Sequence, residues 1–233
     1  MGSALAWAKD ETIASGLIPF DSMTASNRVL VKAVTDHYTL RREYSAQTFK
    51  GHLPVFEYLL DHMEACSALA QKLGLITYRA TRGVDGRLYA DDHEGATGYL
   101  LNAYAGNPAA AERKRVFYVE GTQHSMFDVR GRGVAVLDYH AKAAGIVQYT
   151  CNAFVKVDNV VLAALTQLFS IFLAGTVDSH FAHVIHHPVV LSEKAMTEPQ
   201  KLLDDITQMP VADRELLAPL VALVQSNATN RLE

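Results

Sequence analysis

From Ile146 to Val157 the residue types alternate with a period of two, and an apolar run begins almost immediately afterwards, at Val160. Val147, Tyr149, Cys151, Ala153, Val155 and Val157 share one face of this segment; Gln148, Thr150, Asn152 and Lys156 share the other. That pattern specifies a strand in a sheet covered on one side. Asp158 or Asn159 can cap a helix whose body runs Val160, Val161, Leu162, Leu165, Leu168, Phe169, Ile171, Phe172, Leu173, Val177, Phe181, Val184 and Ile185, with Pro188 expected to stop it. A helix apolar around most of its circumference is buried on most sides. A membrane span competes on length. Thr166, Gln167 and Ser170 interrupt the run, and the strand before it has a soluble pattern, so the buried helix is the favoured reading.

The rest of the chain supplies what such a helix can pack against. Residues 9–22 have no clear period and read as an extended arm; Ser26 to His37 reads as a short helix capped by Ser26. Glu43 to Gly51 reads as a strand. Pro54 opens a helix to Leu73, closed by Gly74, with Leu59, Met63, Cys66, Ala70 and Leu73 in one apolar stripe. Leu75 to Thr81 and Arg87 to Asp91 flank Val84-Asp85-Gly86, a hairpin signal. Ala96 to Tyr104, Arg115 to Gly121 and Val129 to His140 add three strands, with Gly131 and Gly133 marking a bulge or a close backbone approach. Two short helices follow, one from Thr197 to Ile206 and one from Asp213, bent or broken at Pro219.

The 233 residues, 49% hydrophobic and 20% charged, suffice for one domain with a full core. The formal net charge is -4, and Arg41-Arg42, Arg113-Lys114-Arg115 and Arg130-Gly131-Arg132 are short and separated. That argues against a nucleic-acid partner, which demands concentrated positive charge. Cys66 and Cys151 fit no C-x-x-C spacing and read as two buried thiols, with one disulfide as the alternative. Ala6-Trp7-Ala8 before Lys9-Asp10-Glu11 has the look of a small-x-small export cleavage site; a cytoplasmic start fits equally well.

The element order is therefore strand, helix, about five or six antiparallel strands and one long apolar helix. Over Glu43 to His187, including Leu53 to Gly74 with its Phe56-Glu57-Tyr58-Leu59-Leu60, this order resembles the START-like (SRPBCC, helix-grip) superfamily of polyketide cyclases and lipid-transfer domains. The resemblance implies an α+β fold in which a curved antiparallel sheet grips the long helix, leaving a cavity for lipids, sterols, quinones or polyketides. It carries no catalytic residue. It leaves residues 1–42 as an N-terminal arm and short helix, 43–188 as the helix-grip-like domain, and 189–233 as a C-terminal helical extension. Small residues at Ala96, Gly98, Ala103, Gly131, Gly133, Ala135, Ala153 and Ala164 support a cavity, or else simply let the helix pack closely.

Candidate ligand-binding residues are Tyr78, Tyr99, Tyr118, Arg132, Tyr149, Leu165, Phe169 and Phe172. The tyrosines can turn hydroxyls into a pocket, although strand aromatics are common for packing alone. His180, His183 and His187 share a helix face, and His186 adjoins them; metal binding is the weaker reading, because histidines also suit a helix's C-terminal end. Glu120, His124, Asp128, Asp138, Tyr139 and His140 form a second titratable group. Asp138 and His140 would serve acid–base chemistry if their strand face turned inward, and the face of Ala135, Leu137 and Tyr139 is the better inward candidate. No G-x-S-x-G, H-E-x-x-H or phosphate loop is present, and no metal or other cofactor is called for. The expected function is binding or carriage of a hydrophobic small molecule. The alternatives are a cyclase-, isomerase- or hydratase-type enzyme, and an envelope-associated interaction protein whose tail helices make transient membrane contact.

Overall fold

The computed structural model describes residues 14, 16–93, 95–107, 109–110, 113–124, 128–158 and 185–229. The alternating segments assemble into one curved sheet of seven strands: β1 (Leu40–Lys50), β2 (Thr81–Arg82), β3 (Leu88–Asp91), β4 (Ala96–Tyr104), β5 (Arg113–Gln123), β6 (Val129–Ala143) and β7 (Ile146–Val157). All neighbours are antiparallel, in the order β1-β7-β6-β5-β4-β3-β2. The expected α+β architecture is present. The hairpin joining β2 to β3 turns at Gly86, whose φ of 78° suits a residue without a Cβ.

Besides a short 3-10 helix at Phe20–Ser22, the described residues form α1 (Ala25–Thr35), α2 (Leu53–Asp61), α3 (Met63–Lys72), α4 (185–197), α5 (Pro199–Thr207) and α6 (Val211–Thr229). The cap of α1 is Thr24, not Ser26, since the Thr24 side chain accepts from the Asn27 N–H. The stretch read as one helix from Pro54 is two, parted at His62, whose φ of -121° and ψ of 61° leave the helical region. The helical phase of Leu59, Met63 and Cys66 hid the break, because all three still reach the same apolar cluster. Leu75 to Ala80 is not a strand. Its backbone is met by side chains of α3: Ser67 Oγ accepts from Ala80 N at 3.1 Å, and Gln71 Nε2 donates to the Thr77 carbonyl at 3.1 Å. In β1 a register shift between Tyr44 and Gln47 breaks the simple alternation expected there, whereas Gly131 and Gly133 stay in register with both neighbours and form no bulge.

Two prolines expected to end or break helices do neither. Helix α4 runs through Pro188, and α6 continues across Pro219. Pro219 has no N–H for the Glu215 carbonyl. One residue on, the carbonyl of Leu216 accepts from the Tyr58 hydroxyl, so tertiary structure supplies a donor at the weakened turn. No helix among the described residues is long and apolar enough to cross a membrane. The long helix expected from Asn159 lies, as far as residue 184, outside the described residues.

Both faces of the sheet are covered. On the outer face, Val31 and Val34 of α1 pack with Val116, Tyr118, Val134, Val136 and Phe154. Asn27 Nδ2 donates to the Ala103 carbonyl (3.0 Å) and Lys156 Nζ to the Ala33 carbonyl (2.9 Å), fastening the helix down. The inner face meets α2 and α4, and beyond those helices α3, α5 and α6 complete a second, helical core.

Helix α2 joins the two cores through three pairs at i, i+4. Val55 and Leu59 face the helical core, Phe56 and Leu60 face the sheet, and all four are buried. Each contributes about 1.5–3 kcal/mol of apolar burial. The third pair, Glu57 and Asp61, meets the arginines of β5. Asp61 receives Arg115 Nε and Nη2 at 2.9 and 3.0 Å, Glu57 pairs with Arg113, and Tyr139 donates its hydroxyl to Glu57 at 3.1 Å. The Arg115 side chain is 3% exposed. Removing one member of a buried ionic set strands the others without compensation. The Arg115→Ala variant should therefore lose about 3–5 kcal/mol of unfolding free energy in urea. Lys201→Ala, at the exposed pair with Glu198, should leave the urea midpoint unchanged.

Candidate functional site

Strand register ranks the inner face by side-chain size. Under α2 the cross-strand rows are Arg113–Tyr139–Tyr149 and Arg115–Leu137–Cys151. Next comes Asn102–Phe117–Ala135–Ala153, then Leu100–Val119–Gly133–Val155, and last Gly98–Gly121–Gly131–Val157. Along β5 and β6 bulk falls steadily, and in the last row three adjacent strands, β4 to β6, present no side chain at all. The floor is apolar on the way, because Leu100, Val119 and Val155 belong to the inner-face cluster.

The glycines of the last row have different causes. A Cβ at Gly98 would meet the Glu120 carbonyl at 2.5 Å, and one at Gly121 the Thr97 carbonyl at 2.8 Å, so close strand approach dictates both. Among the described residues, the nearest atom a Cβ at Gly131 would meet is the Lys156 carbonyl at 3.5 Å. Among the described residues, packing permits a side chain there. The chain departs beside this row: Asp158 N–H donates to the Arg130 carbonyl at 3.0 Å. It returns to the same face at Ile185, packed among Phe49, Phe56 and Val147.

The expected ligand residues separate. Tyr149 lies on the inner face. Tyr99, Tyr118 and Arg132 stand on the outer face, in register with one another's strands, so none of them lines a space between the sheet and the helices of its inner face. Tyr78 lies in the loop before β2, partly buried, and burial pushes its phenol up. Leu165, Phe169 and Phe172, with Ala164, lie outside the described residues. Of the small residues, Ala96, Gly98, Gly131, Gly133, Ala135 and Ala153 face inward by register, whereas Ala103 packs under α1.

The titratable groups separate likewise. Asp138 and His140 are on the outer face, and Asp138 pairs with Lys114 Nζ at 2.7 Å, so the inward alternative for acid–base chemistry is not realised. Tyr139 points inward to Glu57. His124 and Asp128 pair with each other at 2.9 Å in an exposed loop. His187 is buried and His186 exposed, while His180 and His183 lie outside the described residues. No group of three metal-ligating side chains converges among the described residues. Cys66 and Cys151 are free and buried, and desolvation pushes the Cys151 thiol up to about 12.

Sequence reasoning missed a polar cluster on the outer face. Tyr99 and Tyr118 both donate to the same oxygen of Glu120, at 2.7 and 2.9 Å. Beside them Arg132 donates to both oxygens of Asp158. The sequence signal was available, since Tyr99, Glu120 and Arg132 share one register row, but that row requires the pairing of three strands. Burial first, and then the Glu120 charge, raises both phenols.

No protein-family model matches this chain, and no curated protein does. Among solved structures it is similar to a conserved protein from Geobacillus kaustophilus, with 16% identity, a TM-score of 0.44 and coverage of 66% of this chain and 97% of that one. It is similar also to a hypothetical protein from Helicobacter pylori, with 10% identity, a TM-score of 0.40 and coverage of 70% and 93%. A third is dicamba monooxygenase bound to dicamba, with 12% identity, a TM-score of 0.34 and coverage of 92% and 64%.

The Glu120 cluster has a measurable alkaline signature. A phenol raised in the folded state contributes stability below the unfolded tyrosine value of about 10, and that stability is lost as pH climbs through the folded value. Absorbance titration at 295 nm should show two tyrosines ionising at lower pH in Glu120→Gln than in the parent. The variant should also lose less stability between about pH 9 and pH 11. Identical titration curves would show that the carboxylate does not govern these phenols.

Proposed function

We propose that this protein binds and carries a hydrophobic small molecule, lipid-, sterol-, quinone- or polyketide-like, against the inner face of its sheet. The floor of the site is the row Gly98–Gly121–Gly131 with Gly133, and its apolar surround is Leu100, Val119 and Val155. The observation that carries the reading is the fall of side-chain bulk along β5 and β6 to Gly131, where, among the described residues, a Cβ has room. Apolar surface without bulk is what a hydrophobic ligand fills. The START-like resemblance drawn from element order points to the same face. The sequence of 159–184, between the two places where the chain meets this face, supplies Leu165, Phe169 and Phe172 as apolar partners for such a molecule.

Binding is favoured over catalysis because the acidic residues of α2 and the arginines of β5 on the inner face are committed to one another. Glu57, Asp61, Arg113 and Arg115 form the closed set under α2, at the opposite end from the glycine row. Asp138 and His140, the groups that would have argued for chemistry, face the other way.

The environment-sensitive dye N-phenyl-1-naphthylamine tests the proposal. Its fluorescence should rise saturably with the parent protein. Gly131→Leu should weaken it at least tenfold, on the order of the 1.4 kcal/mol that defines a decade of affinity, with the fold retained by circular dichroism. Saturable binding that Gly131→Leu leaves untouched would place the dye elsewhere, and no binding at all would remove the proposal. Native mass spectrometry of gently purified protein should show an added small-molecule mass.

A further inference from the structure

The outer face at the same end of the sheet carries a groove of about 500 Å³, lined by Tyr89, Tyr99, Thr97, Glu120, Thr122 and Arg130. Register puts all six side chains on one face: Tyr89, Tyr99 and Glu120 in one row, Thr97, Thr122 and Arg130 in the next. The outer-face cluster beneath α1 includes Tyr118 and Val134 and reaches Tyr99 at its edge, and Tyr89 lies beyond it.

The charges here are nearly all spoken for. Arg79, at the groove's edge, is held by Asp213, and Arg132 by Asp158. Arg87 lies 3.5 Å from Asp85, and Asp91 accepts from the His93 N–H at 2.8 Å. Two groups remain. Glu120 takes both phenols on Oε2, and no cation bonds to it among the described residues. Arg130 is exposed and makes no side-chain ion pair or hydrogen bond among the described residues. Because Glu120 opposes Arg132 and Arg130 opposes Thr122, these two opposite charges are diagonal neighbours on adjacent strands. Diagonal neighbours stand roughly 7–8 Å apart, near enough for one small molecule to touch both. They do not meet directly, because the phenols of Tyr99 and Tyr118 hold the Glu120 carboxylate.

The groove also displays its preference for a cation. The rings of Tyr89, Tyr99 and Tyr118 form a chain with centroid separations of 5.8 and 6.1 Å. The Arg87 guanidinium, carried on the exposed β2–β3 hairpin, lies 4.3 Å from the centre of the Tyr99 ring. A tyrosine face flanked by a carboxylate is a favourable seat for organic ammonium or guanidinium groups. Arg87 therefore occupies the position that an external cation would take.

We infer that this groove is a second binding site, independent of the inner-face site, for a small organic zwitterion. Its ammonium group takes the Tyr99 ring and Glu120, and its carboxylate takes Arg130. A molecule of this kind meets both charges at once, and neither an amine nor an acid alone does so.

Titration calorimetry on the full chain with γ-butyrobetaine and with glycine betaine tests the inference, with tetramethylammonium chloride and sodium acetate as the two half-ligands at matched ionic strength. At least one betaine should bind saturably, with each half-ligand at least tenfold weaker. Glu120→Gln and Arg130→Ala should each weaken the betaine at least tenfold. Arg87→Ala, which clears the ring, should strengthen it severalfold. Circular dichroism checks the fold of each variant, and Arg130→Ala changes only an exposed side chain. Absence of saturable betaine binding to both the parent and Arg87→Ala would overturn the site. So would a half-ligand that binds as tightly as the zwitterion, or affinity indifferent to both Glu120→Gln and Arg130→Ala.

Discussion

The clamp between α2 and β5 sets the geometry of everything around it. Arg115 is buried under a helix that offers it Asp61 through two bonds and Glu57 nearby, and Arg113 and Tyr139 close the set. A buried guanidinium is tolerated only when its donors are met, so helix and strand are held in one relation. The same helix drives Phe56 and Leu60 into the sheet and Val55 and Leu59 into the helical core. With α2 fixed over the bulky end of the inner face, the glycine row lies at the other end of the same strands.

Two faces of one sheet thus acquire different characters from the same strands. Inward, β5 and β6 lose bulk from the ionic set under α2 to an apolar end floored by glycine. Outward, the rows beneath α1 are apolar, and beyond them the row of Tyr89, Tyr99, Glu120 and Arg132 is aromatic and charged. Alternation along β4, β5 and β6 makes this unavoidable, since each residue that empties the inner face is flanked by residues that furnish the outer one. Gly98 sits between Thr97 and Tyr99, Gly121 between Glu120 and Thr122, and Gly131 between Arg130 and Arg132.

Much of this was legible in the sequence. Ala96–Tyr104 and Ile146–Val157 were bounded correctly, because period-two patterning and turn residues agree there. Cys66 and Cys151 were recognisable as core residues from their apolar stripes. The failures share a cause, in that long-range contacts overrode local signals. His62 breaks a helix whose apolar phase continues, Pro188 and Pro219 lie inside helices, and Ser67 and Gln71 take the backbone partners that a strand at Leu75–Ala80 would have needed. Site residues were the least legible. Choosing tyrosines by strand membership alone mixed Tyr149 on the inner face with Tyr99 and Tyr118 on the outer, because face assignment depends on register with strands far away in sequence.

The central claim is that a hydrophobic molecule seats on the glycine end of the inner face. Methyl-labelled NMR of the full chain with a spin-labelled fatty acid, 16-doxyl-stearate, addresses it directly. The account predicts that methyl signals of Leu100, Val119 and Val155 broaden while those of Val31, Val34 and Val136 on the outer side stay sharp. Broadening confined to the outer-face methyls, or none at any of these positions, would contradict it.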